Sequence, residues 1–210
     1  MIESNHVQGS PEWERDRLGV VTASAITRIV TPKTLKLSSQ SAGYRAELLS
    51  EWALGYAEEG FSGNYWTERG HRYEDEARQA ITAITGHPCR SVGFCWQDAA
   101  KVAGCSPDAL IGDDGGAEIK CPMGRNHLSY LLAGGVPDEY RLQVQFSLWI
   151  TGRDWWVFES YHPDLPPHIV TVEPEMDCMS AFDALVPEFI ANLDEARARL
   201  IEMGVSNERQ

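Results

Sequence analysis

The stretch Cys105-Ser106-Pro107-Asp108, the turn Asp113-Asp114-Gly115-Gly116 and the run Glu118-Ile119-Lys120-Cys121-Pro122 decide how this chain is read. β-prone runs from Ala109 to Ile111 and from Ala117 to Cys121 flank the turn, so the segment predicts a pair of strands. If the strand holding Glu118 pairs with the one near Asp108, both carboxylates converge at one end of the hairpin. Side chains two residues apart on a strand point the same way, which places Glu118 and Lys120 on one face. Phosphodiester hydrolysis at neutral pH needs such a set: a divalent ion to acidify water, a cation for the crowded phosphate, and a group to orient the nucleophile. Asp108 and Glu118 are the expected Mg²⁺ ligands, the Ile119 carbonyl a third oxygen, and Lys120 the holder of the water and the developing oxyanion. A lone Glu-Ile-Lys string reads more simply as a surface ion pair. The Ser-Pro-Asp sequence upstream tips the reading to a metal site.

Outward from this hairpin, the N-terminal third reads as helical. Trp13 and Leu18 lead into Thr22-Ala23-Ser24, where a hydroxyl can cap a short helix carrying Ile26, Ile29 and Val30, stopped by Pro32. A second helix is expected from about Ser41 to Ala57, a loop from Glu59 to Thr67, and a third helix from about Thr67 to Thr85, closed by Gly86 and Pro88. Strands are expected at Ser91 to Trp96, Lys101 to Cys105, Trp155 to Tyr161 and Ile169 to Val172. Pro137-Asp138-Glu139 starts a helix carrying Leu142, Phe146, Trp149 and Ile150. A long amphipathic helix from about Glu175 to Met203 should be interrupted or kinked at Pro187. Helices flanking a central mixed sheet imply an α/β or α+β fold, taken as a single domain over residues 1–210.

Other polar positions border these elements. Glu74 is seven positions from Ile81, so the two differ by roughly 20° around their helix and Glu74 sits at the edge of its apolar stripe. It reads either as a third acid for a metal or as a partner for Arg78 at i+4. Gln143 follows Leu142 and either hydrogen-bonds the attacking water or forms the polar flank of a core helix. Arg17 and Ser24 flank a helix start that favours phosphate, with a solvated arginine and an ordinary cap as the alternative.

Composition narrows the function classes. Eighteen Lys and Arg against 31 Asp and Glu give a formal charge of −13, the wrong sign for a protein that coats DNA through a broad basic surface. A carboxylate site loaded with divalent cations and flanked by a few Arg and Lys remains compatible with that charge. The cysteines, Cys89, Cys95, Cys105, Cys121 and Cys178, form no CxxC pair, and the N-terminal residues carry no apolar signal segment. A reducing, cytoplasmic setting is expected, without a membrane role.

Read together, Trp13-x-x-x-Arg17-Leu-Gly-Val-Val-Thr-Ala-Ser24, Gly70-x-x-Tyr73-Glu74-x-x-Ala77-Arg78, Cys105-Ser-Pro-Asp108, Glu118-x-Lys120-Cys-Pro122 and Gln143-Val-Gln145-x-Ser-x-Trp149 resemble the phage lambda exonuclease family, also called YqaJ-like viral recombinases. The Phe182-Asp-x-x-Val186-Pro-Glu-Phe189-Ile190 segment looks like that family's C-terminal helix. The resemblance implies a restriction-endonuclease-like core of the PD-(D/E)XK type. It implies a 5′→3′ exonuclease acting on double-stranded DNA ends, a ring-shaped homotrimer, and a phage or prophage recombination role in a bacterial host beside a single-strand annealing protein. Carried over by position, Glu74, Asp108, Glu118, Lys120 and Gln143 match the catalytic set, and Arg17, Ser24 and Ser106 match groups that hold the 5′-phosphate. Two Mg²⁺ ions per site are expected, with Mn²⁺ as a substitute. The family's basic loop is reduced here to Pro32-Lys33-Thr34-Leu35-Lys36, which leaves Lys33 and, after the Glu-Ile-Lys strand, Arg125 as phosphate contacts. Trp66 stands where the family places a strand-splitting wedge.

The rival readings are a structure-specific endonuclease or RecB-like nuclease of the same fold, and a DNA-binding module that has lost hydrolysis. An iron–sulfur nuclease needs a C-terminal cysteine cluster, and beyond residue 121 only Cys178 is present.

Overall fold

Two glycines make the central strand possible. The computed structural model describes residues 1–58 and 65–206, with the backbone alone for residues 65–71. In chain order the elements are β1 (Ile2–Glu3), α1 (Pro11–Arg17), β2 (Val21–Thr22), a 3₁₀ segment (Ala23–Arg28), α2 (Ser41–Leu54), α3 (Tyr65–Thr85), β3 (Cys89–Arg90), β4 (Cys95–Trp96), β5 (Ala103–Cys105), β6 (Ala109–Ile111), β7 (Gly115–Lys120), α4 (Gly124–Ala133), α5 (Asp138–Thr151), β8 (Trp155–Ser160), β9 (His168–Val172) and α6 (Met176–Glu202). Gly115 and Gly116, expected in a turn, instead open β7. A Cβ on Gly115 would lie 2.3 Å from the Trp155 ring, and one on Gly116 would lie 2.2 Å from the Trp156 ring. The missing side chains let both indoles cover the strand.

The strands form two mixed sheets rather than one, ordered β1-β4-β5-β2 and β3-β6-β7-β8-β9. β6 and β7 are antiparallel, with Ala109 opposite Ala117. β7 and β8 are parallel, with Lys120 opposite Ser160, and α4 and α5 make the crossover. Both faces of the five-stranded sheet are covered, which is what a parallel pair at its centre requires. One face carries Trp156 and Phe158 into a core with Leu142, Phe146, Phe182 and Ile26. The other carries Ala117, Ile119 and Val157 against Ala77 and Ile81 of α3. Helices flanking mixed sheets give the expected α+β class.

Local chemistry sets the element ends. Ser10 Oγ accepts from the Trp13 amide at 3.2 Å and Pro11 occupies the first turn, so α1 begins where its orphan donors are met. α2 ends at Leu54 rather than Ala57, because Gly55 (φ 76°) turns left-handed. Thr22 makes no side-chain cap, and the expected short helix is a 3₁₀ segment. α6 runs unbroken through Pro187, whose cost is limited to the one hydrogen bond its nitrogen cannot donate and the local crowding. α4 was absent from the sequence expectation, since its Leu128 and Leu132 are exposed and draw no apolar stripe. Among the described residues no helix is long and apolar enough to cross a membrane.

Candidate active site

The β6–β7 pairing begins at Ala109 opposite Ala117, and Asp108 lies just before it. The Asp108 amide donates to the Ala117 carbonyl at 3.1 Å, and the Asp108 carboxylate accepts from the Ile119 amide at 2.6 Å. The Asp108 carboxylate is thereby held beside the start of the Glu118–Lys120 run, close enough for the two carboxylates to interact. Glu118 is buried, and its Oε1 accepts from Lys120 Nζ at 2.5 Å and from Gln143 Nε2 at 2.6 Å. Strand alternation puts Glu118 and Lys120 on the face that α5 covers, so Gln143 reaches the same oxygen. These four side chains come together as the sequence predicted.

Electrostatics follow from that crowding. Burial, then the Glu118 charge, push the Asp108 carboxyl up to about 8, against the pull of Lys120 and the Ile119 amide. Burial alone would lower Lys120, but Glu118 and Asp108 outweigh it and hold the ammonium above the usual lysine range. Its Nζ also lies 5.2 Å from the Tyr140 ring centroid. With the Asp108 carboxyl held protonated near neutral pH and Lys120 paired to Glu118, the charges nearly balance without a metal, and a cation bound here would displace the Asp108 proton. Hard oxygen donors brought together in this way fit a divalent cation, with the Ile119 carbonyl next to Glu118 on the strand as a further oxygen.

Glu74 takes the other course left open by the sequence. It pairs with Arg78 at i+4, and Arg78 also donates to Asp75 at 2.5 Å and to the Asp108 carbonyl at 3.2 Å. Among the described residues no three acidic, histidine or cysteine side chains meet in a metal-holding group, so Glu74 is near Asp108 without joining a three-acid cage. Arg78 is the residue whose bridging place sequence reasoning missed, having figured only as Glu74's helical neighbour.

Beside the carboxylates lies a cationic niche. Arg17 Nη1 donates to Ser106 Oγ at 3.2 Å, Trp13 Nε1 donates to the same oxygen at 3.2 Å, and the Arg17 guanidinium stacks 4.3 Å from the Trp13 ring centroid. Burial draws the Arg17 pKa down while Tyr44, Glu51 and Glu14 pull it back, and no ion pair engages it among the described residues. Ser106 is two residues from Asp108, which joins the niche to the carboxylates. The spacing of Trp13 and Arg17, one helical turn, was the available sign that they pair.

Ser24 is exposed in the 3₁₀ segment, 3.4 Å from Thr22 Oγ1, and Thr22 pairs with Gly104 two residues before Ser106. Six residues are too few for a helix-terminus anion site, so any contribution of Ser24 rests on its hydroxyl. Lys33 and Arg125 are exposed, and neither forms an ion pair among the described residues. The Trp66 side chain lies outside the described residues.

A family model described as the YqaJ-like viral recombinase domain matches residues 12–154. The crystal structure of LHK-Exo in complex with dAMP superposes with a TM-score of 0.80 at 31% identity, covering 93% of this chain and 98% of that one. A crystal structure of this alkaline exonuclease from Laribacter hongkongensis gives 0.75 at 29% identity, covering 92% and 100%. The uncharacterised protein ExoD of Escherichia coli strain K12 is 40% identical over 68 residues, 31% of this chain and 78% of that one.

Proposed function

The chain belongs to the YqaJ-like viral recombinase family and is an exodeoxyribonuclease of phage-type recombination, and on that premise we propose that it degrades one strand of linear duplex DNA in the 5′→3′ direction with Mg²⁺. The observation that carries this reading is the convergence of Asp108, whose carboxylate accepts from the Ile119 amide, with Glu118, whose carboxylate accepts from Lys120 and Gln143. When bound there, a divalent ion supplies Lewis acidity at the phosphate and acidifies its water; we expect two Mg²⁺ ions per site, with Mn²⁺ able to substitute.

The protein's own groups do the rest. Asp108, Glu118 and the Ile119 carbonyl supply the oxygens, and Glu74 adds a further acid if it leaves Arg78. Lys120 keeps its proton and faces the developing negative charge, while the Gln143 amide orients the nucleophile. Arg17 and Ser106, with Ser24, hold the terminal 5′-phosphate, which places the next linkage over the carboxylates. Lys33 and Arg125 touch the duplex backbone, and Trp66 stacks on the terminal base pair. Residues 1–210 act as one nuclease domain, assembled as a homotrimeric ring around duplex DNA. In the cytoplasm of a phage-bearing bacterial host, the 3′-ended strand passes to a single-strand annealing protein.

Linear duplexes carrying a 5′-phosphate, a 5′-hydroxyl or a 3′-label, alongside closed circular DNA, test the reading together. Mononucleotides released from 5′-phosphorylated ends, with circles untouched, are expected. Cutting of closed circles would favour an endonuclease of the same fold, and metal-dependent duplex binding without any product would favour an inert binding module.

A further inference from the structure

α4 follows the Glu118–Lys120 strand after a three-residue link, yet it has almost no apolar anchorage. His127 is its one fully buried side chain, while Leu128 and Leu132 face outward. Both nitrogens of the His127 ring are engaged. Nε2 lies 2.9 Å from the Pro166 carbonyl, which can only accept, so the ring proton sits on Nε2. Nδ1 then accepts from Ser160 Oγ at 2.8 Å. Ser160 is the register partner of Lys120, and the Tyr161 amide donates to the Lys120 carbonyl at 2.8 Å. The ring thus ties α4 to the strand end that carries the candidate catalytic lysine. The second tie, Tyr130 to Glu139 at 2.5 Å, fixes the opposite half of α4 to α5.

Two residues before His127, and therefore about half a helical turn away, Arg125 is exposed with no ion pair among the described residues. A leucine at position 127 could fill the same space, but it would leave a buried hydroxyl and a carbonyl without their partner. Two directional bonds fix the rotation of α4, which apolar packing alone does not. We propose that His127 is a positioning residue for DNA binding, which holds α4 against Ser160 and Pro166 and so aims Arg125 at the duplex backbone beside the cleft. This rests on the reading of Arg125 as a phosphate contact.

The test reads DNA affinity, so it does not depend on hydrolysis. A fluorescently labelled 5′-phosphorylated duplex is titrated with the full chain in Ca²⁺ at several salt concentrations, and Kd is followed by anisotropy. Arg125→Ala is expected to weaken binding roughly fivefold and to lower the salt slope by about one, as loss of a single phosphate contact does. His127→Ala should reproduce both changes, and the double variant should be no weaker than Arg125→Ala alone. His127→Gln keeps a donor for Pro166 and should recover part of the affinity, and Ser160→Ala should weaken binding in the same direction by less. Additive losses in the double variant, an unchanged salt slope in His127→Ala with circular dichroism intact, or wild-type affinity in Arg125→Ala would each overturn the proposal. Failure of the 5′→3′ reading would appear instead as wrong products from the wild-type chain in Mg²⁺, with these affinities unaffected.

Discussion

Gln143 donates from Nε2 to Glu118 Oε1 over 2.6 Å, joining α5 to the buried carboxylate of β7. Lys120 occupies the same oxygen, so Gln143 is not needed to neutralise Glu118. Gln143→Ala should leave folding intact and lower kcat by roughly 10²-fold, the scale found when one preorganised donor is removed. Single-turnover cleavage with saturating duplex checks this, and a near-normal rate would make Gln143 a polar flank of a core helix.

The Arg17 guanidinium carries its positive charge without a carboxylate partner among the described residues, and it shares Ser106 with Trp13. Arg17→Ala should therefore abolish preference for a 5′-phosphate over a 5′-hydroxyl end, a change of about 10- to 100-fold for charge-assisted hydrogen bonds. Competition between the two ends in one reaction measures it. Equal loss on both ends would show that Arg17 supports the fold alone.

Glu159 is buried, and neither carboxyl oxygen has a hydrogen-bond partner among the described residues. Its side chain lies on the α3 face of β8, and burial pushes its carboxyl up to about 8. The folded state then holds a proton that the unfolded chain releases near the ordinary carboxylate value. The contribution of this group to stability should be fullest below about pH 4.5 and fall as pH rises to about 8, by at most about 1.4 kcal/mol per pH unit. Urea unfolding in chelator should show Glu159→Leu more stable than the natural chain at pH 8 and flatter in pH. Parallel pH profiles for the two proteins would contradict the assignment.

A net charge of −13 repels DNA except where cations gather. Chelation should weaken duplex binding strongly, and activity in Mg²⁺ should fall with salt as phosphate contacts are screened. Tight, salt-insensitive binding in chelator would contradict this.

How much of this was legible in the sequence depends on the range of the interaction. Glu118 and Lys120 were readable because strand alternation is a two-residue rule, and Asp108 followed once a hairpin was assumed. Gly115 and Gly116 were misread as a turn because their role depends on Trp155 and Trp156, some forty residues away, packing over them. α4 was missed because its buried anchor is a histidine held by Ser160 and Pro166, a long-range polar contact with no periodic signature. Pro187 was expected to interrupt or kink its helix, and packing through Val186 and Phe189 carries the helix past it without interruption. Glu74 was left between two roles, and Arg78 holds it in one of them.

The most direct measurement is Mn²⁺ binding by calorimetry to the natural chain, Asp108→Asn, Glu118→Gln and Lys120→Ala, each paired with digestion of a 5′-phosphorylated duplex. The account predicts that both carboxylate variants lose metal binding and cleavage together, whereas Lys120→Ala binds Mn²⁺ and fails to cut. Cleavage that survives in Asp108→Asn, or metal binding untouched by either carboxylate change, would contradict it.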